Sequence, residues 1–158
     1  MTSTDNSAIS EQGPITPIWV IRAMTMINVF IYKLTNGRLM NTLGGGPICL
    51  VEMTGARSGR KRTIPVMYVP DGEDVLIVAS VGGAPKNPVW FNNLIANPDV
   101  KIVEGGRTRV MRARLLSGEE RGEAWPICVS HYADYDDYKV RTNREIPVFR
   151  CEPVSRTG

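Results

Sequence analysis

Six short runs rich in β-branched and aliphatic residues, punctuated by glycine and proline turns, predict a mainly β, α+β domain folded as a six-stranded antiparallel barrel. The helical segments between these runs are short and do not alternate with them, which argues against a doubly wound sheet. A chain of 158 residues suits one domain able to bury about 70% of its unfolded surface. Its 42% hydrophobic and 22% charged residues are those of a globular chain, not a disordered or collagen-like one.

Residues 1–16 are polar, lack a basic start and an apolar run, and read as a flexible arm rather than a signal peptide. In residues 17–40, Arg22, Thr25, Asn28 and Lys33 interrupt an apolar stretch every three to five positions, the pattern of an amphipathic helix. It is too often interrupted to span a membrane, which takes about 20 predominantly apolar residues. Packing over one end of the barrel would bury its apolar face, and Arg22, Lys33 and Arg38 would also suit an anionic bilayer surface. The barrel domain is expected over 41–153, with a short tail at 154–158.

Within that domain, strands are predicted at 48–53, 63–69 and 75–80, the last two joined by the hairpin signal Pro70-Asp71-Gly72. Asn87-Pro88 opens a short helix over 89–96, and Asn97-Pro98 closes it. Strands at 99–104 and 107–116 flank Gly105-Gly106. In the second, Arg107, Arg109, Arg112 and Arg114 alternate with apolar neighbours only if the register breaks near Val110-Met111. Ser117 with Glu120 predicts a capping box for a helix reaching Tyr132, bent at Pro126, and 146–151 supplies the sixth strand.

The composition narrows the chemistry. Three widely spaced cysteines, Cys49, Cys128 and Cys151, form no C-x-x-C pair and point to a reducing, cytoplasmic setting without a disulfide framework or zinc ribbon. The one histidine, His131, cannot make a multi-histidine metal site and reads as a surface helix residue. Charge is uneven: residues 14–62 carry seven Lys or Arg against the single acid Glu52, while the segments on either side are net acidic. An anionic partner would therefore meet the first third of the chain.

Three clusters can carry function. Gly55-Ala56-Arg57-Ser58-Gly59-Arg60-Lys61-Arg62 puts four cations between two strands, beside glycines that let backbone N–H groups turn toward phosphate or carboxylate. A solvated hairpin tip has the same composition, whereas nucleic-acid binding is disfavoured by the lack of interleaved aromatics. Ser80-Val81-Gly82-Gly83 leads from a strand toward a helix start, either as an ordinary connection or as a set of backbone donors for an anion or polarised carbonyl. Tyr132, Tyr135 and Tyr138 recur at three-residue spacing, which places three phenols on one helical face as a docking stripe or as the wall and proton source of a pocket.

The ordered blocks T-G-A-R-S-G-R-K-R-T-I-P-V-M-Y-V-P-D-G, V-A-S-V-G-G-A-P-K-N-P-V-W-F-N-N-L-I-A-N-P, H-Y-A-D-Y-D-D-Y and R-T-N-R-E-I-P-V resemble the deazaflavin-dependent nitroreductase family of actinobacteria over residues 48–153. The resemblance implies a split β-barrel of the FMN-binding type that binds coenzyme F420, an 8-hydroxy-5-deazaflavin with a polyanionic phospholactyl-oligoglutamate tail. It implies cofactor contacts from Arg57, Ser58, Arg60, Lys61 and Arg62 to the tail, and from Pro65, Met67, Ala79, Ser80, Val81, Gly82, Gly83 and Trp90 around the head. Tyr132, Tyr135 and Tyr138 match the family's substrate side, with Tyr132, Tyr135 and Ser80 as candidate proton donors. Ala56, Val81, Met67 and Phe91 depart from the family's usual residues, so nitro-compound reduction is not carried over with the rest.

The expected activity is hydride transfer from reduced F420 to an activated small-molecule acceptor: a quinone, a nitroaromatic or a conjugated alkene. An FMN-dependent barrel and a deazaflavin carrier without turnover are the alternatives, and one FMN phosphate has little use for four clustered cations. No nucleic acid and no metal is expected, and a peripheral place on the inner face of the cell membrane would follow from the 17–40 helix.

Overall fold

The computed structural model describes residues 42–43 and 46–154. The expected arm, the amphipathic helix and nearly all of the tail lie outside the described residues. Seven strands are present: β1 (Thr42–Leu43), β2 (Gly46–Thr54), β3 (Lys61–Asp71), β4 (Asp74–Val78), β5 (Asp99–Glu104), β6 (Arg107–Leu115) and β7 (Val148–Pro153). All pair antiparallel in the order β1-β2-β3-β4-β7-β6-β5. β5 then returns to β2 through Leu50 opposite Val103, Val51 opposite Ile102 and Glu52 opposite Lys101, which closes the six longer strands into a barrel. Closure leaves these six strands no free edge in the ladder.

Period-two alternation fills the barrel. Cys49, Val51 and Met53 of β2, Val75 and Ile77 of β4, Val100 and Ile102 of β5, Met111 and Ala113 of β6, and Phe149 and Cys151 of β7 share one buried cluster. Helix α1 (Trp90–Ala96) plugs it with Leu94, which is 2% exposed, a burial contributing about 1.5–3 kcal/mol. Trp90 and Phe91 pack on Phe149, with ring centroids 6.2 and 5.5 Å apart. Outside the barrel, α2 (Gly118–His131) and α3 (Asp134–Arg141) cover Val69, Leu76, Val78 and Val148 with Ala124, Trp125, Cys128 and Tyr135. Arg121 ties the chain after α3 to α2, donating to the Ile146 carbonyl from Nε and Nη2 at 3.1 and 2.7 Å.

Three local expectations are corrected. β6 has no register break: its pairing with β5 runs regularly from Asp99–Arg112 to Glu104–Arg107, so Arg109 shares the inner face with Met111 and Ala113. Its charge is met there by Glu104 at 2.6 Å and by the Glu73 carbonyl at 2.9 Å. Ser117 does occupy the N-cap position of α2 but makes no side-chain cap bond. The capping box fails because both Glu120 carboxylate oxygens accept from Arg114 at 2.7 Å. The helix also stops at Tyr132, whose backbone is extended at φ −149°, before α3 starts at Asp134. The three tyrosines therefore do not lie on one helix.

All three cysteines are free and buried. Burial pushes the Cys151 thiol up to about 12 and the Cys128 thiol up to about 11, and raises Cys49 further. These groups ionise more readily once unfolded, so the native state holds more protons above the ordinary thiol value of 9.0 and stability falls as pH rises. Thermal melts should hold level up to about pH 9 and then drop progressively toward pH 12. A melting temperature unchanged to pH 11 would show that these thiols are not held neutral by the fold.

Candidate functional site

The loop between β2 and β3 is built tightly. Gly55 donates to the Arg60 carbonyl at 2.8 Å and Gly59 to the Gly55 carbonyl at 3.0 Å. A Cβ on Gly55 would sit 2.6 Å from Ser58 Oγ, so a larger residue there would turn the Ser58 side chain away from the loop. Ala56 N donates to Asn93 Oδ1 at 2.9 Å, and Asn97 Nδ2 donates to the Thr54 carbonyl at 3.3 Å, which anchor the loop on α1 and its C-terminus. Between loop and helix lies an open groove of about 890 Å³, lined by Gly55, Ala56, Arg57, Ser58, Arg62, Ile64 and residues 87–93.

Arg57, Arg60, Lys61 and Arg62 are exposed, and none meets a carboxylate among the described residues. Lys61 Nζ reaches Thr54 Oγ1 at 3.1 Å. Three of the expected tail residues, Arg57, Ser58 and Arg62, thus line a single groove together with Trp90, which also packs on the core. Pro65 and Met67 are not brought there. They alternate with Ile64 and Val66 along β3 and take its opposite face, where Met67 Cε comes within 2.9 Å of the place a Cβ would occupy on Gly46, with Tyr132 Cδ2 3.7 Å from the same point.

After β4 the chain turns sharply. Ser80 is right-handed (φ −80°), and Val81, Gly82 and Gly83 all have positive φ, at 45°, 61° and 80°. A β-branched residue at positive φ is strained. Gly83 N donates to the Ser80 carbonyl at 3.0 Å and Ala84 N to the Val81 carbonyl at 3.1 Å. No carbonyl among the described residues accepts from the N–H groups of Ser80, Val81 or Gly82. A right-handed residue followed by a left-handed one aims such successive N–H groups into one concavity, which suits an anion or a polarised carbonyl.

Arg144 stands behind this turn. Its Nε donates to the Ala84 carbonyl at 2.8 Å, Nη1 to Asn87 Oδ1 at 2.8 Å, and Nη2 to the carbonyls of Ala79 and Ser80 at 3.1 and 2.9 Å. Burial shifts this guanidinium downward from its ordinary value, which is so high that the group stays charged near neutrality.

Tyr132, Tyr135 and Tyr138 converge although the helix breaks between them. Ring centroids lie 5.1 Å apart for Tyr132 and Tyr135, 6.1 Å for Tyr132 and Tyr138, and 6.2 Å for Tyr135 and Tyr138. Tyr135 is 2% exposed and also packs on Trp125. The other two are half-buried, and their hydroxyls meet at 3.1 Å while Tyr132 donates to Asp134 Oδ2 at 2.8 Å. The Tyr138 hydroxyl and then the Asp134 carboxylate push the Tyr132 phenol above its ordinary value, and burial raises Tyr135. Both stay protonated at neutral pH, as a proton donor must.

Protein contacts link the three parts. Arg144 joins the Ser80–Gly83 turn to Asn87 at the groove. Gly83 joins the same turn to the tyrosines, since a Cβ there would lie 2.8 Å from the Tyr138 carbonyl oxygen. A cationic groove, N–H groups without an acceptor among the described residues, and a pair of phenols suit, in that order, an anionic chain, a polar ring edge and a proton acceptor. Sequence reasoning missed Arg144, Asn87, Asn93 and Asp134. Arg144 lies in the R-T-N-R block, but its acceptors are 57 to 65 residues away along the chain.

Residues 24–153 match the family model of F420H(2)-dependent quinone reductases. An F420H(2)-dependent quinone reductase of Mycobacterium tuberculosis is 40% identical over 122 residues, which cover 75% of this chain and 82% of that protein. A solved F420-H2 dependent reductase is 44% identical, with a TM-score of 0.64 over 67% of this chain and 94% of that one. A second solved chain, a domain-swapped dimer, is 36% identical with a TM-score of 0.66, covering 87% of this chain and all of that one. The protein is an F420-dependent reductase with coenzyme F420 as its cofactor, leaving no need for FMN, and the chain belongs to the F420H(2)-dependent quinone reductase family.

Proposed function

We propose that this protein reduces a quinone-type acceptor with hydride from F420, and that the groove, the Ser80–Gly83 turn and the tyrosine cluster are its tail, head and acceptor regions. When bound, reduced F420 supplies the hydride. Arg57 and Arg62 hold the anionic tail in the groove by charge-assisted hydrogen bonds, and Arg60 and Lys61, outside its lining, add positive charge beside it. The N–H groups of Ser80, Val81 and Gly82 orient the polar edge of the ring, and Trp90 gives the groove an aromatic wall. Tyr132 and Tyr138, held by Tyr135 beneath them, exclude water from the acceptor and return a proton to it from a phenolic oxygen, with Ser80 as the other candidate donor. Pro65 and Met67 belong with Tyr132 on the acceptor side. Nitroaromatics and conjugated alkenes share with quinones an electron-poor π-system and are the further acceptors to try. Association with an anionic bilayer rests on the charge set of residues 17–40 alone.

The observation that carries this reading is the linkage of the three regions by the contacts of Arg144 with Asn87 and of Gly83 with Tyr138. Fluorescence titration with F420 tests the tail assignment. Arg57→Ala and Arg62→Ala should each weaken binding by roughly 1.5–3 kcal/mol and flatten its dependence on salt. Undiminished affinity in both variants would remove the tail from this groove. Mixing the reduced complex with a soluble quinone then separates a reductase, which oxidises at once, from a carrier, which does not.

A further inference from the structure

The Ser80–Gly83 turn faces a problem that its own sequence does not solve. It holds Val81 at φ 45°, a strain on the order of 1–3 kcal/mol that persists only where the surroundings over-determine the backbone. It also leaves three N–H groups without a carbonyl acceptor among the described residues. The group that surrounds it is Arg144, which places four hydrogen bonds on Ala79, Ser80, Ala84 and Asn87 and meets no carboxylate among the described residues. Glu145, its neighbour in sequence, turns instead to Arg121 at 3.6 Å. The positive charge of Arg144 is therefore spent wholly on backbone and amide oxygens.

Those oxygens are well chosen. A cation on a peptide carbonyl draws electron density through the amide and makes the N–H at the other end of the same peptide a stronger donor. The carbonyl of Ala79 shares its peptide with the N–H of Ser80, and the carbonyl of Ser80 shares its peptide with the N–H of Val81. Arg144 bonds both carbonyls at 3.1 and 2.9 Å. We infer that Arg144 is the positioning residue of the cofactor head site: it locks the strained turn and, through two peptide groups, polarises the N–H donors that take an anionic or carbonyl oxygen of the ring. This inference rests on the F420 reading above and adds to it a residue that never touches the ligand.

Titration with two ligands tests it: F420 itself and 8-hydroxy-5-deazariboflavin, the same ring without the anionic tail. Arg144→Gln keeps hydrogen-bonding capacity but removes the charge, and should weaken both ligands by the same factor, roughly tenfold or more. Arg144→Lys restores the charge without the fork and should fall between wild type and Gln. Arg57→Ala, by contrast, should weaken only the tailed ligand. In the ligand-free protein, amide exchange at Gly83 and Ala84, whose N–H groups close the turn, should quicken in Arg144→Gln. If Arg144→Gln does not fold, Arg144→Lys decides, with weaker binding of the tail-less ring as the expected result. Wild-type affinity for that ring in the folded variants overturns the inference, as does faster exchange without loss of affinity, which would make Arg144 a structural brace only. A wild-type protein that binds neither ligand overturns the F420 reading itself.

Discussion

Tyr132→Phe is expected to slow turnover by a factor on the order of 10² while leaving F420 affinity nearly unchanged. The substitution removes one oxygen and keeps the ring that packs 5.1 Å from Tyr135. The lost oxygen is the centre of a short chain, donating to Asp134 at 2.8 Å and lying 3.1 Å from the Tyr138 hydroxyl. Hydride addition to a quinone leaves an oxyanion that must be protonated, and a phenol that recovers its proton from solvent can do this repeatedly. Because the Tyr138 hydroxyl is the next member of this hydrogen-bonded row, Tyr138→Phe should slow turnover too. Tyr135→Phe removes a hydroxyl from a ring that is 2% exposed and measures how much the support itself matters. Steady-state rates with any accepted quinone decide the matter: wild-type turnover in both Tyr132→Phe and Tyr138→Phe moves donation to Ser80 or to water.

Gly83→Ala should cost about 2–4 kcal/mol of stability, from a left-handed backbone forced on a side chain and from a collision with the main chain of α3. The added Cβ would lie 2.8 Å from the Tyr138 carbonyl oxygen and 3.0 Å from Arg141 Cβ, with φ at +80°. A carbonyl oxygen in a helix cannot swing aside as a side chain can, so turn and helix must separate. For a domain of this size the melting temperature should fall by roughly 5–15 °C. Because the same contact seats the tyrosines beside the turn, turnover should suffer more than tail affinity. A variant that melts like wild type would mean that α3 is free to move away from the turn at little cost.

The barrel was legible because its signals are local. Glycine and proline turns bound the strands, and alternation within β5 identifies the face that becomes core, whereas the apolar run Ile48–Val51 of β2 is buried on both faces. The misreadings all arise where a distant group changes a local rule. Arg109 breaks the expected alternation of β6 because Glu104 and the Glu73 carbonyl, brought over by pairing, neutralise it on the inner face. Glu120 leaves the cap of α2 because Arg114 from the neighbouring strand binds it with two hydrogen bonds. At the site, the charge of the 55–62 loop and the repeat of tyrosines could be read directly, and the resemblance gave them a common ligand. The helix end at Tyr132 was expected, but the second helix that carries Tyr135 and Tyr138 was not, since three-residue spacing looks the same in one helix as across two. Arg144 was hidden for the same reason: a single arginine in a polar segment carries no sign of carbonyls some 60 residues away.

β3 carries Arg62 and Ile64 toward the groove and Pro65 and Met67 toward Tyr132, on opposite faces of one strand. On the reading proposed above, affinity for the cofactor and choice of acceptor would be written in alternate letters of the same short segment. A lineage could then exchange the residue at 65 or 67 to accept a new oxidant without disturbing the grip proposed for 62 and 64, and the reverse would hold as well. What it cannot accept is an insertion or deletion of a single residue within the strand, which would transpose the two sets of letters and lose both meanings together.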